Sequence, residues 1–84
     1  LSCFSVRLFA SYRDQVGKST VSMEMPEGSS VSDLVIKLSG RYPLLTSEPG
    51  TLVVAVNYEY VDHTYCLMEG DEIALIPPVS GGSK

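Results

Sequence analysis

Ser30-Val31-Ser32-Asp33-Leu34-Val35-Ile36-Lys37-Leu38 (SVSDLVIKL) is the stretch whose reading decides the fold. Val31, Leu34, Val35 and Leu38 fall at i, i+3, i+4 and i+7, which draws one apolar stripe along a helix. Ser30 is a good N-cap, and Asp33 places a negative charge in the first turn, where it complements the helix dipole. The preceding Pro26-Glu27-Gly28-Ser29 reads as the turn that delivers the chain into this helix. Gly40 is expected to end it, and Pro43 prevents its resumption. A single stripe can cover one face of something else, and no second helix of this quality is evident.

Working outward, both flanks read as strands. Upstream, Cys3 to Ala10 alternates, with Phe4, Val6 and Leu8 on one face and Cys3, Ser5, Arg7 and Phe9 on the other. The first set belongs to a core; Phe9 is a large aromatic on a face of otherwise small or polar groups. Ser11 to Gly17 (SYRDQVG) is expected to be a loop or one loose helical turn closed by Gly17. Val21, Met23 and Met25 then alternate with polar residues in a second strand, making a hairpin with the first.

Downstream, Tyr42, Leu44 and Leu45 lead into a polar connection, Ser47-Glu48-Pro49-Gly50. Thr51 to Asn57 (TLVVAVN) is rich in β-branched residues and almost continuously apolar, as an interior strand should be. Asn57-Tyr58-Glu59 turns the chain into a short strand at Tyr60 and Val61. Asp62-His63-Thr64 is a polar loop, after which Tyr65-Cys66-Leu67 packs back. Met68-Glu69-Gly70-Asp71 is a turn with Gly70 at its positive-φ position. Glu72 to Ile76 forms the last strand, with Ile73 and Leu75 on one face and Ala74 and Ile76 on the other.

The expected order is therefore ββαβββ. This is the α+β, β-grasp (ubiquitin-like) arrangement, a mixed sheet of four to five strands packed on one main helix. Its first and last strands run side by side at the centre. The expected domain covers 1–76, followed by a flexible tail over 77–84 that carries Gly81 and Gly82. One helix cannot cover both faces of such a sheet. If Phe4, Val6, Leu8, Ile73 and Leu75 meet the helix stripe, Phe9, Ala74 and Ile76 lie on an open face. An exposed apolar patch on a small domain usually marks a partner.

Composition narrows what that partner is. Eighty-four residues support one domain near the small end of what folds alone. No apolar run is long enough to span a bilayer and no signal-peptide pattern opens the chain, so no membrane role is expected and the cytoplasm is the default compartment. The net charge is -4, and the six basic residues are scattered, so nucleic acid is not an expected partner. Tyr12, Tyr42, Tyr58, Tyr60 and Tyr65 form no spaced stacking platform. Cys3 and Cys66 lack a CxxC, a paired histidine or a secretory context, so both read as small, partly buried side chains. His63 reads as a surface-loop histidine and Glu69, Asp71 and Glu72 as solvated turn residues; no metal site is expected.

The tail is the most specific feature. Pro77 and Pro78 cannot donate to a ladder and stiffen the chain, and Gly81 and Gly82 then remove the side chains where it finishes. With V6-R-L-F-A-S-Y-R-D-Q-V-G17, V54-A-V-N57 and E69-G-D-E-I-A-L-I-P-P-V-S-G-G82, the chain resembles the MoaD-type sulfur carriers of the MoaD/ThiS family, small subunits of molybdopterin synthase. The resemblance runs over almost the whole length.

The resemblance implies a definite chemistry. An E1-like adenylyltransferase uses ATP to activate the final glycine's carboxylate as an acyl-adenylate, and a sulfur donor converts it to a thiocarboxylate. The loaded tail then enters the large subunit and gives its sulfur to cyclic pyranopterin monophosphate. Carried to this sequence, Gly82 bears the adenylate and then the sulfur, and Gly81 lets the tail thread a channel. Phe9, Ala74, Ile76, Pro77, Pro78 and Val79 form the docking surface. No cofactor is expected on the chain itself, and the catalytic side chains of the sulfurtransferase complex, a heterotetramer in this family, are expected on the large subunit.

One departure stands out: Ser83 and Lys84 follow Gly82, which leaves no free carboxylate there. An artefact, proteolytic removal or a fusion to a further domain each accounts for them. Two alternatives share the fold: a related carrier serving thiamine, tRNA or cysteine sulfur, and a non-catalytic ubiquitin-like interaction module or modifier. The PPVSGG ending favours the molybdopterin carrier.

Overall fold

Alternation in the first eight residues builds the strand on which the sheet is assembled. The computed structural model describes residues 1–45 and 49–77, and in it the elements run β1 (Ser2–Leu8), α1 (Ala10–Val16), β2 (Thr20–Met25), α2 (Val31–Arg41), a 3-10 turn at Pro49–Thr51, β3 (Val53–Val56), β4 (Glu59–Val61) and β5 (Glu72–Ile76). Phe4, Val6 and Leu8 are buried, while Cys3, Ser5 and Arg7 face solvent, as the period of two requires.

The sheet order is β2-β1-β5-β3-β4. β1 pairs with β2 antiparallel, setting Val6 opposite Val21 and Phe4 opposite Met23. Its other edge pairs with β5 in parallel, Val6 beside Ile73 and Leu8 beside Leu75. The first and last strands thus lie together near the centre, as expected of a β-grasp sheet. A parallel pair cannot be joined by a hairpin, and the connection that separates these two contains α2. β3 and β4 complete the sheet by antiparallel pairing, with Val54 opposite both Leu75 and Val61.

Helix α2 starts as its sequence dictates. The Asp33 backbone N–H donates to Ser30 Oγ at 3.2 Å and the Ser30 N–H donates back to Asp33 Oδ2 at 3.0 Å, a reciprocal capping box. Its stripe, Val31, Leu34, Val35 and Leu38, is fully buried against Phe4, Val6, Met23, Ile73 and Leu75 in one core. Gly40 does not end the helix. It continues to Arg41, with Tyr42 as C-cap donating its N–H to Leu38 O at 2.8 Å. Gly40 has no positive φ, so it acts as an ordinary helical residue. Just past the expected end, the Arg41 guanidinium lies 5.6 Å from the Tyr42 ring centroid, within cation–π range.

The segment read as a loop or one loose helical turn is a seven-residue helix. Ala10 turns the corner after β1 at φ 49°, and α1 then runs to Val16, closed by Gly17 at φ 84°. Tyr12 is its one buried residue, and burial raises the phenol's pKa above its ordinary value. β1 consequently ends at Leu8, two residues earlier than its alternation suggests. The element order is βαβαβββ, with the second helix supplying the main cover of the sheet.

Candidate protein-docking face

The face of the sheet away from α2 is open, and its shape follows from residue size in register. Arg7 on β1 lies beside Ala74 on β5, Ala74 lies opposite Ala55 on β3, and Ala55 opposite Tyr60 on β4. Two alanines in the middle of a row whose ends are long side chains leave a hollow. Phe9, Tyr58 and Tyr60 stand at its sides, and the concavity has a volume of about 220 Å³. Phe9 is 42% exposed, Tyr60 74% and Tyr58 83%, so three aromatic rings project around a small-residue floor. Arg7 and Glu72 also line it and give the apolar hollow a charged margin.

Phe9, Ala74 and Ile76 are therefore brought together, as the sequence predicts, and Pro77 follows directly from β5 half-buried. Pro78, Val79, Gly81 and Gly82 lie outside the described residues. Sequence reasoning missed Ala55, Tyr58 and Tyr60. Ala55 was legible as the one small residue within the β-branched run VVAV. Tyr60 sits where the short β4 strand pairs with it, and its place follows only from that register.

The turns beside the hollow are tied together by side chains. Asn57 donates its N–H to Glu72 O at 2.8 Å, and Glu72 donates its N–H to Asn57 Oδ1 at 3.0 Å. Asn57 Nδ2 donates to Asp71 Oδ1 at 3.0 Å, while the other Asp71 oxygen accepts the Met68 N–H at 2.9 Å. Asp71 is thus a half-buried turn residue that fastens its turn to Asn57. Gly70 has the expected positive φ, 91°.

Two expectations are corrected. Cys3 and Cys66 are both exposed, because Cys3 falls on the solvent phase of β1 and Cys66 on a segment that meets the sheet-side turn by a single bridge to Ser30. His63 is half-buried, with Nε2 at 2.6 Å from Leu52 O, and its own carbonyl accepts the Ser32 N–H at 2.8 Å. It joins the loop over 62–65 to the lead into β3 and to the first turn of α2. Among the described residues no group of three or more His, Cys, Asp or Glu is placed to hold a metal ion, and no helix is long and apolar enough to cross a membrane.

A central parallel β1–β5 pair, one main helix and a hollow leading toward the chain end invite comparison with known proteins. The model of the ThiS family matches residues 6–82. The chain belongs to the ThiS family. The match runs through the second glycine of the Gly-Gly pair. Among its relatives is the molybdopterin synthase sulfur carrier subunit of Dictyostelium discoideum, 39% identical over 82 residues, with 94% of this chain and 95% of that protein covered. Among solved structures, the putative molybdopterin converting factor subunit 1 from Pyrococcus furiosus superposes with a TM-score of 0.83 at 29% identity, covering 94% of this chain and all of that one. Small archaeal modifier protein 1 from Haloferax volcanii gives 0.82 in two structures, at 29% and 26% identity, covering 96% and 94% of this chain and all of that one. The neighbours are ubiquitin-like proteins, and the β-grasp class read from the sequence is theirs.

Proposed function

We propose that this ThiS-family chain is the sulfur-carrier small subunit of molybdopterin synthase. The observation that carries the reading is the match over residues 6–82, which ends on Gly82, combined with relatives named as that subunit at up to 39% identity. The modifier protein is 26–29% identical, below the 39% of the Dictyostelium carrier subunit, so the carrier reading is preferred to a conjugated modifier.

In this reading the Gly82 carboxylate attacks the α-phosphate of ATP on an E1-like adenylyltransferase, releasing pyrophosphate and leaving an acyl-adenylate. A donor of sulfide-level sulfur then attacks the carbonyl carbon and expels AMP, leaving a thiocarboxylate. Glycine suits this carbon because it has no Cβ to obstruct attack, and Gly81 lets an enclosing backbone approach closely. Pro77 and Pro78 limit the entropy lost when the tail inserts. The large subunit docks on the hollow around Phe9 and supplies the acid–base groups, and cyclic pyranopterin monophosphate receives the sulfur. ATP serves the activating partner, and the chain itself binds no cofactor.

The test uses a chain ending at Gly82, since a peptide bond to Ser83 removes the carboxylate. Incubated with an E1-like enzyme, ATP and a sulfur donor, it is expected to show by intact mass the replacement of one oxygen by sulfur. The chain ending at Lys84 should show none. If the trimmed chain takes up neither adenylate nor sulfur, the carrier reading fails.

A further inference from the structure

Asn57 and Tyr58 form the two-residue loop between β3 and β4, with φ values of 54° and 71°. A loop with both central residues at positive φ follows the right-handed twist of the strands, and it favours Asn first and Gly second. Here the second position carries Tyr. A bulky aromatic in the left-handed region is a true outlier, and such conformations persist only where their surroundings over-determine them. Asn57 supplies that restraint through its backbone and side-chain bonds to Glu72 and Asp71, and Gly70 shapes the turn that offers Asp71.

The fold gains little from the Tyr58 ring. It is 83% exposed, and among the described residues its hydroxyl makes no hydrogen bond. What the ring does is wall the hollow above Ala55 and Ala74. A rigid ring with a polar tip is the side chain most suited to a protein interface, where it gives contact area at low conformational cost. From this juxtaposition we infer that Tyr58 is an affinity-determining contact for the carrier's protein partner, and that Asn57 is the positioning residue that aims it. The inference rests on the docking role proposed for this face. The occupant is the large subunit, the other part of the enzyme of which the relatives are named a subunit, and the alanine floor suits an apolar side chain from it.

The test measures calorimetric affinity for the purified large subunit together with the thermal midpoint of the free carrier. Tyr58→Gly is expected to lower affinity about tenfold while leaving the midpoint unchanged or higher, because Gly relieves the left-handed strain. Asn57→Gly keeps the positive φ but removes the side-chain bonds, and should lower affinity in the parent while adding little in a Tyr58→Gly background. Unchanged affinity in Tyr58→Gly overturns the contact role; additive losses in the double variant overturn the positioning role. A midpoint that falls in Tyr58→Gly overturns the strain argument. If Phe9→Arg weakens binding and Tyr58→Gly does not, the docking face stands and only this inference fails. If neither substitution changes binding, the docking reading itself fails.

Discussion

Phe9 occupies the N-cap of α1, where Ser, Thr, Asp or Asn would give a side-chain bond to the free N–H groups of the first turn. It makes no such bond and holds its ring 42% exposed. Period two placed Phe9 on the outward face correctly, but for an incomplete reason. The strand has already ended at Leu8, and the left-handed Ala10 sets the direction of the chain beyond it. Phe9→Arg should therefore cost less than about 0.5 kcal/mol of stability, as for other surface positions. It should weaken association with the large subunit at least about tenfold, since it puts a charge where an aromatic anchor stood. Calorimetric titration beside thermal melting measures both. Tyr58 was opaque at this scale, because no periodicity reports a side chain whose backbone lies at φ 71°.

Elements were legible in proportion to the strength of their local signals. Helix α2 announced itself through Ser30, Asp33 and a four-residue stripe, and all of these do in the fold what their spacing implies. Helix α1 is seven residues with one buried side chain, Tyr12, too short for a stripe to repeat. The exact bounds of β3 were similarly blurred, because TLVVAVN is almost continuously apolar while only Val53–Val56 pairs and a 3-10 turn precedes it. The capping box gives α2 its defined start, so Ser30→Ala should destabilise the domain by about 1 kcal/mol. For a domain of this size that lowers the thermal midpoint by roughly 4–8 °C. Ser30→Thr, which keeps the hydroxyl, should recover most of the loss. Scanning calorimetry on the two variants is the check, and an equal loss in both would place the effect elsewhere.

At the scale of the molecule, one sheet separates two jobs. The face toward α2 holds the folding energy, in side chains such as Val6, Leu34, Ile73 and Leu75 that have no exposed surface. The face toward solvent carries Phe9, Tyr58 and Tyr60 around two alanines and contributes little to the core. The first face could be read from sequence because hydrophobic burial follows period; the second could be read only in part, because a hollow depends on which residues stand opposite one another across four strands. The separation makes an opposite pair of expectations. Leu34→Ala removes a fully buried side chain and should cost about 2–5 kcal/mol, a large share of the roughly 4–13 kcal/mol available to a chain of 84 residues. Yet the fraction that remains folded should bind the large subunit with the parent's affinity, since no atom of Leu34 reaches the open face. Chemical denaturation gives the first quantity, and titration corrected for the folded fraction gives the second. A loss of intrinsic affinity in Leu34→Ala would mean that the core sets the shape of the hollow, and that the two faces of the sheet are coupled through β1 and β5.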